Sequence, residues 1–149
     1  HILYIIREML DFHPESKRTN IEGALQFLTS VVKHRCTAFV LSDFYDQKDF
    51  LHPLQICNRK HDVVAVQVYD RFAKSLPDVG LMRVVDAETG YEQYIDTSSK
   101  RLRRAHEQYW NRMQQHLRET MNKSNVDMVS ISTGDDFVKH LLLLFKKRS

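Results

Sequence analysis

Two continuous apolar runs with β propensity, Phe39-Val40-Leu41 within 37–42 and Val63-Val64-Ala65-Val66 within 63–68, flank a stretch where Phe50, Leu51, Leu54 and Ile56 recur at helical spacing. A strand, a helix and a second strand in direct succession predict a parallel pair joined by a right-handed crossover. Strands of such sheets are buried on both faces, which is why they read as unbroken apolar runs. Ligand sites in open α/β sheets lie just past the carboxyl ends of the strands. The first run ends there on Ser42-Asp43-Phe44 and the second on Tyr69-Asp70-Arg71. The two carboxylates, with Ser42 beside the first, are therefore the first candidates for a site.

The remaining patterns extend this framework. Ile2, Leu3, Ile5, Ile6, Met9 and Leu10 predict a helix over 1–12 with a broad apolar face that needs a partner, and a polar connector, Pro14 to Arg18, follows. Thr19-Asn20-Ile21-Glu22 has the spacing of a capping box, and Ala24, Leu25, Leu28, Val31 and Val32 mark a second helix. The runs 80–85 and 91–96 around Asp86-Ala87-Glu88-Thr89-Gly90 predict an antiparallel hairpin inserted into the parallel framework. Ser98 or Ser99 starts the longest helix, with Leu102, Ala105, Tyr109, Met113, Leu117 and Met121 on its core face. A strand over 126–131, a second capping-box spacing at Thr133 to Asp136 and a helix over 137–145 complete the chain. The expectation is one α/β domain over 1–149: a mainly parallel, Rossmann-like sheet of about three strands, one antiparallel hairpin and five helices on both faces.

Composition narrows the classes. With 42% hydrophobic and 28% charged residues the chain is an ordinary globular one. Its longest apolar run, Leu141 to Phe145, is far short of a membrane span, and no signal peptide opens it, so a cytoplasmic protein with no membrane partner is expected. Cys36 and Cys57 have no metal-binding or redox spacing and read as reduced thiols. A net charge of +3 is too mild to imply nucleic acid; Lys100, Arg101, Arg103, Arg104, Arg112 and Arg118 form a basic face on the long helix, read as solvated. The chain opens at His1 inside an amphipathic pattern, as expected of a piece of a longer protein.

Each candidate residue has a structural and a functional reading. Asp43 is either a site residue, such as a magnesium ligand, or a turn or helix cap with Asp46 and Asp49. Asp70 is either a second ligand of a shared ion or a turn residue salt-bridged to Arg71. Thr19 is a helix cap, or its hydroxyl faces a metal or anion at a helix amino terminus. His61-Asp62 is a functional pair or the end of a helix turning into a strand. The chain has no Gly-x-Ser-x-Gly elbow, dinucleotide or phosphate-binding glycine loop, or zinc-binding histidine spacing. Three function classes remain: a non-enzymatic protein-interaction module, a magnesium-dependent phosphoesterase or nuclease using Asp43 and Asp70 with Arg71 or the basic helix holding phosphate, and, more weakly, a basic nucleic-acid-binding domain.

The elements Arg18-Thr19-Asn20-Ile21, Leu41-Ser42-Asp43-Phe44, Arg59-Lys60-His61-Asp62-Val63, Leu76-Pro77-Asp78-Val79-Gly80 and Asp86-Ala87-Glu88-Thr89-Gly90 occur in a recognisable order. In them the chain resembles the carboxyl-terminal part of the bacterial domain-of-unknown-function family fifty-eight, whose members carry a von Willebrand factor A-like domain. The resemblance implies a partial domain of that type and a MoxR-type AAA+ ATPase as partner; no catalytic activity is established for the family as a whole. It also implies that Asp43 and Thr19 match the third and second segments of a metal-ion-dependent adhesion site. The first segment, Asp-x-Ser-x-Ser, has no counterpart in the chain, so Thr19 and Asp43 would make an incomplete magnesium site, filled only in the full-length protein. In the same order the strand over 37–42 would be left as an apolar edge, from which self-association through that edge or the first helix is expected.

Overall fold

The computed structural model describes residues 1–13, 18–46, 48–86 and 88–148; of the expected connector from Pro14 to Arg18, residues 14–17 lie outside them. Everything is organised around β2 (Asp62–Tyr69), which runs parallel to β1 (Thr37–Ser42) on one side and to β5 (Asp127–Ser132) on the other. Val66 of β2 stands beside both Leu41 and Val129, so the three strands are in register through the centre of the sheet. Residues Val63 to Gln67 are all buried. The polar member of that run, Gln67, donates from Nε2 to the Asp43 carbonyl at 3.2 Å and accepts from Ser130 Oγ at 2.8 Å, so no polar side-chain atom is left wanting there.

Alternation along β2 sends successive side chains to opposite faces. Val63 and Ala65 join the main core with Ile21 and Leu25 of α2 (Ile21–Val31), Leu54 and Cys57 of α3 (Leu51–Lys60), and Leu117 and Met121 of α5 (Lys100–Lys123). The opposite face is covered by α6 (Phe137–Arg148), which packs along β5 and buries Leu144. Arg148 ties the end of α6 to Asp62 and, at 3.1 Å, to Asp127, pinning it to the amino ends of β2 and β5. The antiparallel pair β3 (Leu81–Val85) and β4 (Glu92–Asp96) forms its own two-stranded sheet between β2 and α5 in sequence. Gly90, at φ +72, supplies the left-handed residue that the hairpin requires.

Three expectations change, whereas the apolar face of the first helix lacks a cover as expected. β1 is an edge strand that alternates, with Val40 packed on the main core but Phe39 45% and Leu41 68% exposed on the other face, because α6 lies along β5, with Phe145 meeting Phe39 edge to face at 6.0 Å. α1 (Ile2–Asp11) buries none of its residues: Leu3 is 81% and Leu10 78% exposed. A sixth helix, the one-turn α4 (Arg71–Lys74), follows β2, because Asp70 accepts the Phe72 N–H at 2.7 Å and so starts a turn. α5 is capped by Ser99 but buries only Leu117, Thr120 and Met121; Ala105 and Tyr109, at core spacing, are exposed because the first half of the helix has α4 rather than the sheet beside it.

Arg103 also leaves the basic face of α5, pairing with Asp78 at 3.0 Å and donating to the Thr97 carbonyl. Among the described residues no helix is long and apolar enough to cross a membrane. The burial of Leu54 in the main core and the exposure of Leu41 on the outer face of β1 predict different costs of truncation. In urea unfolding, Leu54→Ala should lower stability by about 2–5 kcal/mol, whereas Leu41→Ala should change it by less than about 0.5 kcal/mol.

Candidate functional site

Past Ser42 the chain makes a turn that decides where Asp43 sits. Phe44 adopts φ +59, a conformation that costs a bulky L-residue of order 1 kcal/mol or more. The turn is held by Ser42 Oγ, which accepts the Phe44 N–H at 3.0 Å, and by Asp43 Oδ1, which accepts the Tyr45 N–H at 3.0 Å. The Phe44 ring goes into the core beside Phe50, and Asp43 is left exposed at the carboxyl end of β1. There it lines a crevice of about 500 Å³ with Thr19, Asp46, Asp86, Glu88, Arg18 and Lys48.

The second wall is the amino terminus of α2. A helix leaves its first N–H groups without intrahelical partners and carries a partial positive charge there. Three side chains from three segments meet this need. Asn20 accepts the Gly23 N–H at 3.0 Å, Asp46 accepts the Ile21 N–H at 2.8 Å, and Glu88 Oε1 accepts both the Thr19 N–H at 2.9 Å and the Thr19 hydroxyl at 2.6 Å. The cap is thus Asn20, one residue later than the capping-box spacing predicts, and Thr19 is turned outward to the hairpin. An ionised carboxylate from the hairpin turn is a stronger acceptor for the threonine hydroxyl than a helix N–H is a donor to it. The C-terminal capping box shifts in the same way: Asp136 accepts the Lys139 N–H at 3.3 Å, while the Thr133 hydroxyl points to Asp70 at 3.4 Å.

The hairpin turn that carries Glu88 is itself fixed by a carboxylate. Asp86 accepts the Glu88 N–H at 2.8 Å and the Thr89 N–H at 3.1 Å, and these bonds, that from Thr89 foremost, hold its carboxyl below the usual 3.8. A depressed carboxyl stabilises the turn above its ordinary range and loses that contribution as pH falls through the lowered value.

Thr19 and Asp43, distant in sequence, therefore share one crevice, with Ser42 bonded to the turn behind Asp43. Asp70 is spent on capping α4 and on Thr133 and does not line that crevice. His61 is fully buried at the opposite, amino end of β2, with Nδ1 3.4 Å from Cys36 Sγ, and Asp62 pairs with Arg148. Cys36 and Cys57 are free thiols; burial pushes the Cys57 thiol up. Magnesium takes near-octahedral oxygen coordination. Thr19 donates a hydrogen bond from its hydroxyl to Glu88, which leaves the oxygen lone pairs free, and among the described residues no three His, Cys, Asp or Glu side chains converge as a metal site. The donors present do not by themselves fit the ion.

The residues that sequence reasoning missed are Asp46, Asp86, Glu88 and a tyrosine pair. Asp-x-Glu-Thr-Gly after an apolar run was the available signal for the turn. Tyr45 and Tyr109 meet hydroxyl to hydroxyl at 3.0 Å. That bond, then burial and the nearby Tyr109, Asp86 and Asp43, push the Tyr45 phenol up from 10.0 to about 12. Because the folded state holds the neutral phenol, the contribution is full below pH 10.0 and is lost as pH rises towards 12. Ultraviolet titration should show one tyrosine ionising near 12. Tyr109→Phe should bring that midpoint down, and an unchanged midpoint would mean that the pair does not exist in solution.

With the geometry in place, comparison adds a lineage. The family model described as "Protein of unknown function DUF58" matches residues 1–116. Uncharacterised proteins of Mycobacterium bovis and Mycobacterium tuberculosis are each 32% identical over 77 residues, 52% of this chain and 24% of theirs. The matched stretch thus spans about a quarter of the length of those relatives. An uncharacterised protein of Mycobacterium avium is 24% identical over 135 residues, 91% of this chain and 79% of its own. No solved structure matches the chain. Since the family model covers more than half of its residues, the chain belongs to the DUF58 family, a family of proteins of unknown function.

Proposed function

We propose that this chain is a protein-interaction module with no catalytic activity of its own, acting in the cytoplasm with a MoxR-type AAA+ ATPase. The observation that carries the reading is uncovered apolar surface. Ile2, Leu3, Met9 and Leu10 of α1 are exposed together on one helix, and Phe39 and Leu41 are exposed on an edge strand. Grouped apolar exposure of this kind marks association surfaces, and an unpaired strand edge is a template for another chain. The ATPase partner and the von Willebrand A-like architecture come from the family resemblance alone.

Magnesium assistance is the finer part of the proposal. Thr19 and Asp43 face one crevice at the carboxyl end of the sheet, where such sites lie, but the remaining oxygens would have to come from other parts of the full-length protein or from a partner carboxylate. A phosphoesterase built on Asp43 and Asp70 has no comparable support, since Asp70 is committed to α4 and Thr133.

The test reads association and metal separately. Light scattering of this chain should give a mass that rises above 17.7 kDa with concentration, and Leu3→Glu with Leu10→Glu should restore the monomer mass. A clean monomer at high concentration contradicts the interaction reading. On the full-length product of the gene, magnesium titration calorimetry should give heat that Asp43→Ala abolishes; equal heats would remove the metal and leave the association standing.

A further inference from the structure

A second cavity, about 260 Å³ in volume, opens behind the Tyr45–Tyr109 pair. It is larger than a dry engineered cavity of roughly 150 Å³ that takes up benzene. Its walls are mainly aromatic and apolar: Phe44, Tyr45, Tyr109, Trp110, Met113 and Leu117. Tyr45 and Tyr109, the more exposed of these rings, stand at the rim, while Phe44 and Leu117 are buried. The charged side chain in the lining is Asp43, and among the described residues no lysine or arginine lines the cavity. Both hydrogen bonds that hold the Asp43 carboxylate fall on Oδ1, from Tyr45 N–H and, at 3.5 Å, from Ser42 Oγ. His106 Nε2 lies 3.1 Å from the Phe72 carbonyl, so that nitrogen carries its proton outward to α4. Arg71 stacks on the Phe72 ring at 5.1 Å and is not part of the lining.

Aromatic faces present negative potential, and several of them beside one carboxylate attract a cation that also has an apolar surface to bury. An anion would meet Asp43 without a compensating base. A neutral hydrocarbon would gain nothing from the carboxylate. We propose that this cavity binds an organic ammonium group on a short apolar stem, the chemistry shared by a lysine side chain of a peptide and a free alkylamine. The inference does not depend on magnesium or on the reading of α1.

The probes are n-butylammonium chloride and its neutral counterpart 1-butanol, titrated into the chain in the presence of EDTA. Amide shifts and the fluorescence of Trp110, the only tryptophan of the chain, report binding. The ammonium should bind about tenfold more tightly than the alcohol, with shifts confined to residues 43–45 and 106–117. Asp43→Asn and, separately, Tyr109→Ala should each weaken it severalfold; both lie on exposed positions, and unchanged circular dichroism shows that the fold persists. An acetylated tetrapeptide with one lysine decides the source: tighter binding than n-butylammonium identifies a polypeptide ligand, equal or weaker binding a free amine. Equal affinity for ammonium and alcohol, no binding, shifts elsewhere, or full affinity in both variants would overturn the proposal.

Discussion

The constraint on which the structure depends is the burial of β2 on both faces. A strand whose residues 63 to 67 are all removed from water must have a partner strand on each edge and helices above and below, because neither its backbone groups nor its side chains can be left to solvent. β1 and β5 answer the first need, and α2, α3 and α5 on one face with α6 on the other answer the second. What remains uncovered follows from the same arrangement. Three helices serve one face and one serves the other, so the outer face of β1 is exposed at Phe39 and Leu41.

The crevice is a by-product of finishing this sheet. β1 ends, Phe44 turns through a left-handed conformation to reach the core, and Asp43 is carried to the surface. The amino terminus of α2 lies across from it and has N–H groups to satisfy, which Asp46 and Glu88 do from two other segments. Anionic side chains therefore collect here first because a helix end and a hairpin turn need acceptors. Any ligand chemistry is superimposed on that structural demand. Among the described residues Asp43 is the carboxylate residue that lines both the crevice and the aromatic cavity.

Much of this was legible in the sequence. Val63 to Val68 reads as a two-faced strand because its composition and its burial are caused by the same thing. β1 has an equally apolar sequence, yet its exposure depends on which strands and helices flank it, which is a tertiary fact that local composition does not contain. Thr19 has the capping-box spacing to Glu22 and was also a candidate metal ligand; its hydroxyl is bonded instead to Glu88, 69 residues away. Tyr109 kept the period of a core residue on α5, but a periodic stripe says only which face points inward, not whether a neighbour fills the space. Here a cavity stands in place of a neighbour.

The central claim is that α1 and the outer face of β1 are docking surfaces attached to a sealed sheet. Hydrogen–deuterium exchange of dilute and concentrated samples, with and without a MoxR-type ATPase, addresses it directly. The account predicts that β2 amides exchange slowly under every condition. Amides of α1 should exchange rapidly when dilute and become protected on concentration or on adding the ATPase. Protection of α1 equal to that of β2 in the dilute chain, or rapid exchange of α1 under all conditions, would contradict it.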